Sequence, residues 1–277
     1  MFPELINIFG FPVHTYGVML ALGIMCALFA AQRLARQDGI QSDRVFDLGL
    51  WTIIGGLLGS KLLMIFTDEN FRGNLWNLLS LDFLRSGGVF YGGLIGGFFT
   101  LLFLIRYYKL SFWKVADAFA PGVALGQFFG RQGCNAAGCC WGKASDVPWH
   151  VHFSELGHEM TGVPIYREDG GNLYLHPVQL YESFAMLIVF IALFFLHKRK
   201  KFDGQILIMY MICYPLIRFT IEFFRDDPRG DLLGLTTLTN LSTSQIISLI
   251  VAVSSVVFLY FRLRKNKVES SQLSAKV

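Results

Sequence analysis

The chain has 277 residues, 53% hydrophobic and 16% charged, with a formal net charge of +4. A soluble domain carries about a quarter charged residues, so this composition excludes an ordinary water-soluble enzyme. The small positive excess sits in short loops and builds no nucleic-acid-binding face. The composition predicts a single all-α membrane domain over 1–277, with about seven transmembrane helices and a small extracytoplasmic insertion.

A spanning helix needs about 20 mostly apolar residues. Segments of that kind lie at 16–34, 45–66, 88–107, 112–130, 178–197, 204–224 and 243–263. The fourth is the weakest, with Lys114 and Asp117 near its start, and the sixth carries Arg218 and Glu222 near its end. Residues 1–14 lack the basic start of a cleavable signal peptide. Basic residues recur in alternate loops: Arg33, Arg36 and Arg44; Arg106, Lys109 and Lys114; the run HKRKK at 197–201; and Arg262, Arg264, Lys265 and Lys267. Acid-richer segments at 67–85 and 226–231 lie between them. The positive-inside rule then places the N-terminus outside and the C-terminus in the cytoplasm. The longest loop, 131–176, falls outside as a small extracytoplasmic domain, and the sequence leaves the fold of 144–175 open.

Glycines four apart recur at Gly55/Gly59, Gly92/Gly96, Gly93/Gly97 and Gly122/Gly126/Gly130. Such spacing lets helix backbones approach closely in lipid, and packing alone accounts for most of it. Gly92 and Gly93 differ in following Tyr91 early in a span.

Ionisable groups at membrane depth are expensive and mark function. The segment GRQGCNAAGCCWGK at 130–143 joins Arg131 to Gly133, Gly138 and Gly142 where the fourth span ends. Closely spaced glycines let backbone N–H groups face a ligand, and an arginine forks onto phosphate. A Gly-rich turn with a snorkelling arginine reads equally well from this segment alone. In YPLIRFTIEFFRDDPRG at 214–230, Arg218 and Glu222 share one helix face and are spaced to pair, with Tyr214 a turn before and Arg225 a turn after. HPVQLYES at 176–183 opens the fifth span, with Pro177 suited to its first turn. There His176 caps the entry of the span, and Gln179 and Glu182 face the bundle or the interface, in a structural or a catalytic role. HTYGVML at 14–20 puts Tyr16 at the outer start of the first span, and Lys61 completes the set. Cys134, Cys139 and Cys140 form no CxxC, and His150, His152 and His158 have no metal-ligand spacing, so no metal site is expected.

Taken in order, HTYGVML, GSKLLMIF, SGGVFYGGLIGG, GRQGCNAAGCCWGK, HPVQLYES, YPLIRFTIEFFR and LSTSQIISL resemble the bacterial prolipoprotein diacylglyceryl transferases over most of the chain. The resemblance implies transfer of the diacylglyceryl group of phosphatidylglycerol to the lipobox cysteine of a prolipoprotein, at the outer face of the cytoplasmic (inner) membrane. It implies no cofactor. It casts Arg131 and Arg218 as the arginines that hold the phosphate and the leaving group, and Glu222 as the acid that orients Arg218. It casts Tyr16 and Tyr214 as lining the headgroup site, and Gly142 as the last glycine of the motif. Gly133, His176 and Gln179 fall within the matching segments and count as substrate-binding candidates with Gly92 and Gly93.

The chain departs from the family pattern at five positions. Tyr91 precedes Gly92 and Gly93 where many members have a histidine, and tyrosine is a poor base at neutral pH, so Tyr91 is the catalytic candidate as a hydrogen-bond donor. Cys134 replaces an asparagine in the substrate-binding set, Ala137 and Cys139 replace polar residues, and Lys61 replaces an arginine. A transporter for an anionic solute and a non-catalytic lipid or signal-peptide binder are the other readings.

Overall fold

In lipid every backbone polar group must bond within the protein, so long apolar segments fold as helices. The computed structural model describes residues 2–8, 11–68, 88–227, 239 and 241–274. A two-stranded antiparallel hairpin, β1 (Glu4–Ile8) and β2 (Phe11–His14), leads into α1 (Thr15–Gln37). Next come α2 (Ser42–Thr67), α3 (Phe90–Tyr107) and α4 (Phe112–Ala137). A short α5 (Glu155–Thr161) precedes α6 (Val178–His197), α7 (Gln205–Glu222) and α8 (Thr243–Ser274). Each of the apolar segments expected to cross is helical. Among the described residues, five helices are long and apolar enough to span a membrane: α1, α2, α6, α7 and the Thr243–Lys265 part of α8. The protein is therefore a helical multi-pass membrane protein. Large apolar side chains such as Ile188 and Phe195 stand 67% and 68% exposed, which suits lipid and not water. Most of the acid-richer loop segments, and Ser86 and Gly87 of the glycine-rich motif, lie outside the described residues.

The described chain forms two compact units, residues 32–115 and residues 1–31 with 116–277. In the first, α2 and α3 meet backbone to backbone. A Cβ on Gly59 would lie 2.9 Å from the Gly96 Cα and closer still to the Gly92 carbonyl. Small residues thus set the separation of this helix pair. At its basic end the Arg44 guanidinium lies 4.4 Å from the Tyr108 ring, whose hydroxyl donates to Asp47 at 3.3 Å.

In the second unit α1 approaches α4 through Gly122, where a Cβ would sit 2.7 Å from the Ala27 carbonyl oxygen, and through Gly23 against Gly126. Gly130, the last of that series, faces open space. Ala120, Ala124, Met186, Val189, Leu193, Ile206 and Tyr210 form the core shared by α4, α6 and α7.

Asp117, which weakens the fourth apolar segment as a sequence, is fully buried. Its Oδ1 accepts from the Ile206 and Leu207 amides at 2.9 and 3.1 Å, and its Oδ2 from the Gly204 amide at 2.8 Å. Lys200 pairs with the same Oδ2 at 3.1 Å. A carboxylate from α4 therefore caps α7, whose own N-cap is a glycine that offers no side-chain acceptor.

Residues 138–177, open from sequence, pack as a small insertion on Phe153, Val163, Ile165 and Leu175, with Trp141 against them. Left-handed glycines end the helices on either side of this core, Gly138 at φ 84° after α4 and Gly162 at φ 74° after α5. Ser154 caps α5 by accepting from the Gly157 amide at 3.2 Å.

Replacing Asp117 with Ala strips three amides of their acceptor and leaves the partly covered Lys200 ammonium with Asp203 alone. We expect a loss of about 3–5 kcal/mol, the cost of breaking a buried pair, read as a lowered unfolding midpoint in detergent.

Candidate functional site

The last turns of α4 carry Arg131, and the first turns of α6 present a polar face within an otherwise apolar helix. Gln179, Glu182 and Ser183 recur at helical spacing on that face and are all buried. Arg131 Nη2 lies 2.9 Å from Glu182 Oε1, with the two side chains 20% and 2% exposed. Gln132 donates to Ser183 at 3.0 Å, and Ser183 in turn donates to the Phe128 carbonyl at 3.0 Å. Gln179 donates to the Cys139 carbonyl at 2.8 Å. These contacts clamp the end of α4 to the start of α6. Glu182 Oε2, Gln179 Oε1 and the Asn135 side-chain oxygen remain as buried acceptors without a hydrogen-bond partner.

Arg218 and Glu222 pair at 2.6 Å, as their spacing predicts. The sequence does not indicate the third member: Ser244 of α8 donates to Glu222 Oε1 at 2.6 Å and accepts from Arg218 at 3.4 Å. Arg225, one turn past Glu222 and buried, is held by both carboxylate oxygens of Asp227 at 2.8 Å. Burial works against its charge most strongly of any one effect, but the Asp227 hydrogen bonds and charge together with Cys140 raise its pKa.

The motif glycines serve close approaches. A Cβ on Gly133 would lie 3.1 Å from the Tyr16 ring, so this glycine seats Tyr16 against α4. A Cβ on Gly142 would meet the His176 carbonyl at 2.6 Å and Val178 at 2.8 Å. Around Gly142 the chain threads between two other segments. Lys143 donates its amide to Phe224 and receives that of His176, both at 2.9 Å, and Gly142 bridges to Arg225. The three motif segments 130–143, 176–183 and 214–230 are thus stitched together through backbone. His176 Nδ1 lies 3.2 Å from the Tyr181 hydroxyl, which accepts from the Trp149 indole at 2.7 Å. Tyr214 stacks on Tyr210 at 5.7 Å, and its phenol lies within electrostatic reach of Arg131.

Tyr91, Gly92, Gly93 and Lys61 belong to the unit of α2 and α3. Tyr91 is 67% exposed at the start of α3. Gly92 and Gly93 pack on α2, with Cβ positions beside the Gly59 and Gly56 carbonyls.

Sequence spacing misses the cysteines. The sulfurs of Cys134, Cys139 and Cys140 lie within 4.8 Å of one another, with all three residues partly exposed. Hydrogen bonds from the Cys134 and Cys139 thiols, and then the Arg225 guanidinium, hold Cys140 below the usual thiol range. The same bonds push Cys139 up.

The profile of the prolipoprotein diacylglyceryl transferase family matches residues 3–261. The chain belongs to this family. It is 37% identical over 268 residues to the phosphatidylglycerol–prolipoprotein diacylglyceryl transferase of Clostridium tetani, covering 96% of this chain and 100% of the relative. It is 33% identical to phosphatidylglycerol–prolipoprotein diacylglyceryl transferase 2 of Clostridium perfringens, covering 96% and 97%. The phosphatidylglycerol–prolipoprotein diacylglyceryl transferase of Enterococcus faecalis is 32% identical, with 93% and 89% covered. In this diacylglyceryl transferase the buried arginines and the stitched motif segments all lie in the unit of residues 1–31 and 116–277.

Gly142→Ala places a methyl against backbone that has no room to move. We expect it to destabilise the protein by about 1–3 kcal/mol, with Gly130→Ala near silent, in parallel unfolding scans.

Proposed function

We propose that this chain is a transferase that moves the diacylglyceryl group of phosphatidylglycerol onto the lipobox cysteine of prolipoproteins. The product is a thioether and glycerol phosphate leaves, as the first step of lipoprotein maturation. The family membership supports the reaction class. The observation that carries the site assignment is Arg131, a mostly covered arginine paired to the buried Glu182 at 2.9 Å within a bundle of membrane helices.

Attack of sulfur on the glycerol carbon breaks a carbon–oxygen bond to phosphate, and negative charge gathers on the departing phosphate. Guanidiniums fixed beforehand stabilise that charge without reorganising. The Glu182 ion pair engages one nitrogen of Arg131 and fixes the plane of the fork; the opposite edge suits a phosphate. Arg218, oriented by Glu222 and Ser244, serves the leaving group. The buried oxygens of Gln179, Glu182 and Asn135 are suited to accept from the glycerol hydroxyls of the headgroup. Tyr16, Tyr214, His176, Gly133, Cys134 and Gly142 line the lipid site in this reading. Tyr91 donates a hydrogen bond to the substrate, with Gly92 and Gly93 as further substrate-binding positions.

The topology that fits this role has seven crossings in the inner membrane, with α3 and α4 as the two beyond the apolar five. The N-terminus lies outside, the C-terminus in the cytoplasm, and the whole chain forms one membrane domain with residues 131–176 over its outer face. An impermeant amine reagent applied to intact cells should label Lys143 and leave Lys265 untouched. Labelling of Lys265 alone would reverse the orientation.

The deciding experiment follows labelled diacylglyceryl from phosphatidylglycerol to a lipobox peptide. Wild-type protein should transfer it, and Arg131→Ala and Arg218→Ala should each lose about 10²–10³-fold in kcat. Arg218→Lys keeps the charge without the planar fork and should fall between. A silent wild type, reconstituted with intact lipid and peptide, would overturn the reading.

A further inference from the structure

Gly138 ends α4 in the left-handed conformation, and the amides of Gly138 and Cys139 both return to the Cys134 carbonyl, at 3.0 and 3.2 Å. This capping turn folds the chain back over the last turn of the helix. It delivers Cys139 and Cys140 to the face that already carries Cys134. Cys140 takes a left-handed φ of 61°, a conformation that residues with a side chain rarely adopt and that persists only where the surroundings hold it. The result is three sulfurs within 4.8 Å, partly exposed, from residues no disulfide joins.

Among the described residues this is the one group of cysteine, histidine or acidic side chains with metal-ligand geometry. Zinc binds thiolate at about 2.3 Å, so a tetrahedral ion sets its sulfurs roughly 3.8 Å apart, which the cluster meets with small adjustments. Three thiolates around a divalent ion leave a net negative charge. Two guanidiniums offset it: Arg225 hydrogen-bonds Cys140, and Arg131, one helical turn before Cys134, lies within electrostatic reach of Cys134 and Cys140. Structural zinc sites close with four protein ligands, whereas catalytic ones keep a position open.

We propose that Cys134, Cys139 and Cys140 form a three-thiolate site for a zinc-class divalent ion whose fourth position takes the acceptor cysteine of the prolipoprotein. This rests on the transferase reading above. Such a device serves the chemistry, because a free thiol is mostly protonated at neutral pH and only its thiolate attacks carbon. A coordinating thiol gives up its proton. That proton passes to water, the sulfur electron pair forms the bond to the glycerol carbon, and the carbon–oxygen pair leaves with glycerol phosphate. The thioether product is a neutral, weaker ligand and departs. Arg131 on the adjoining turn holds the phosphate, so acceptor and donor meet at the end of one helix.

The test uses the full chain in phosphatidylglycerol-containing nanodiscs, with Zn(II) and Co(II) as the probes. We expect a single equivalent of zinc, and a thiolate-to-cobalt charge-transfer band on cobalt substitution. The band should survive in Cys213→Ser and vanish in Cys139→Ser and in Cys140→Ser. A lipobox peptide should shift the band, and the same peptide with serine for its cysteine should not. Chelation should lower transfer by about 10²–10⁴-fold, the range of general acid–base assistance, and zinc should restore it. Absence of bound metal with transfer intact, or a disulfide among the three cysteines in the active protein, would overturn the site. Metal bound with no response of the band to peptide and no effect of chelation would overturn the acceptor role. A band that shifts with peptide while no lipid is transferred would instead overturn the transferase reading and leave the metal site standing.

Discussion

The pairing of Arg131 with Glu182 is the contact on which the rest of the site depends. A guanidinium at the end of a membrane helix is tolerable only with a partner, and Glu182 is buried almost completely. Neither charge is stable there without the other, so the pair forces the last turn of α4 against the first turn of α6. Around it, Gln132 to Ser183 and Gln179 to Cys139 fix register and rotation. Everything downstream on the chain inherits that placement: the Gly138 cap, the fold-back of the cysteines and the threading of Gly142 between His176 and Arg225. The polar contacts do not drive association of the helices. The small-residue contacts of α1 with α4 and the apolar core of α4, α6 and α7 do that, and the ion pair selects one geometry among those the packing allows.

The arginines share one design. Arg131 is matched to Glu182, Arg218 to Glu222 and Arg225 to Asp227. Each pair is neutral as a whole, which lets it exist at low dielectric, yet each guanidinium has five donors and a carboxylate uses two at most. In Arg131, whose ion pair engages one nitrogen, the guanidinium still attracts an additional anion. For a reaction whose negative charge grows on a departing phosphate, this is preorganisation: the donors are oriented by the protein before the charge arrives. Lysine in the same places would bring charge without a fixed plane.

Local chemistry in the sequence makes much of this legible. Apolar length predicts each of the long helices, and the spacing of Arg218 and Glu222 predicts their pairing, because both are properties of neighbouring residues. Gly55 and Gly59 against Gly92 and Gly96 follow the same logic of small residues one turn apart. What the sequence hides are contacts that need the tertiary fold. Asp117 reads as a defect in a membrane segment, yet it supplies the cap that α7 cannot make for itself. Glu182 is visible as a polar residue on a polar face, but nothing local matches it to Arg131. Ser244 lies a helix away from the pair it completes. The fold of the insertion was open because its core is built from short bridges and two left-handed glycines with no periodic pattern.

The cysteines show why a spacing rule fails here. A CxxC pair places two thiols together through one turn of local chain, so it can be read directly. Cys134 and the Cys139–Cys140 pair are brought together by a helix ending between them. The last helical turn projects Cys134 to one side, and the glycine cap reverses the chain so that the next two residues return to that same side. Helix termination thus does what a knuckle does elsewhere, and the decisive residue is Gly138 rather than any sulfur. A residue with a side chain at that position would be strained at φ 84° and would press on Phe153 and Val163, 3.3 and 3.4 Å from its Cβ. The cluster is therefore tied to the core of the insertion. The apolar packing under Gly138 and the thiols above it share one constraint, and the helix that carries Arg131 ends where the thiols gather.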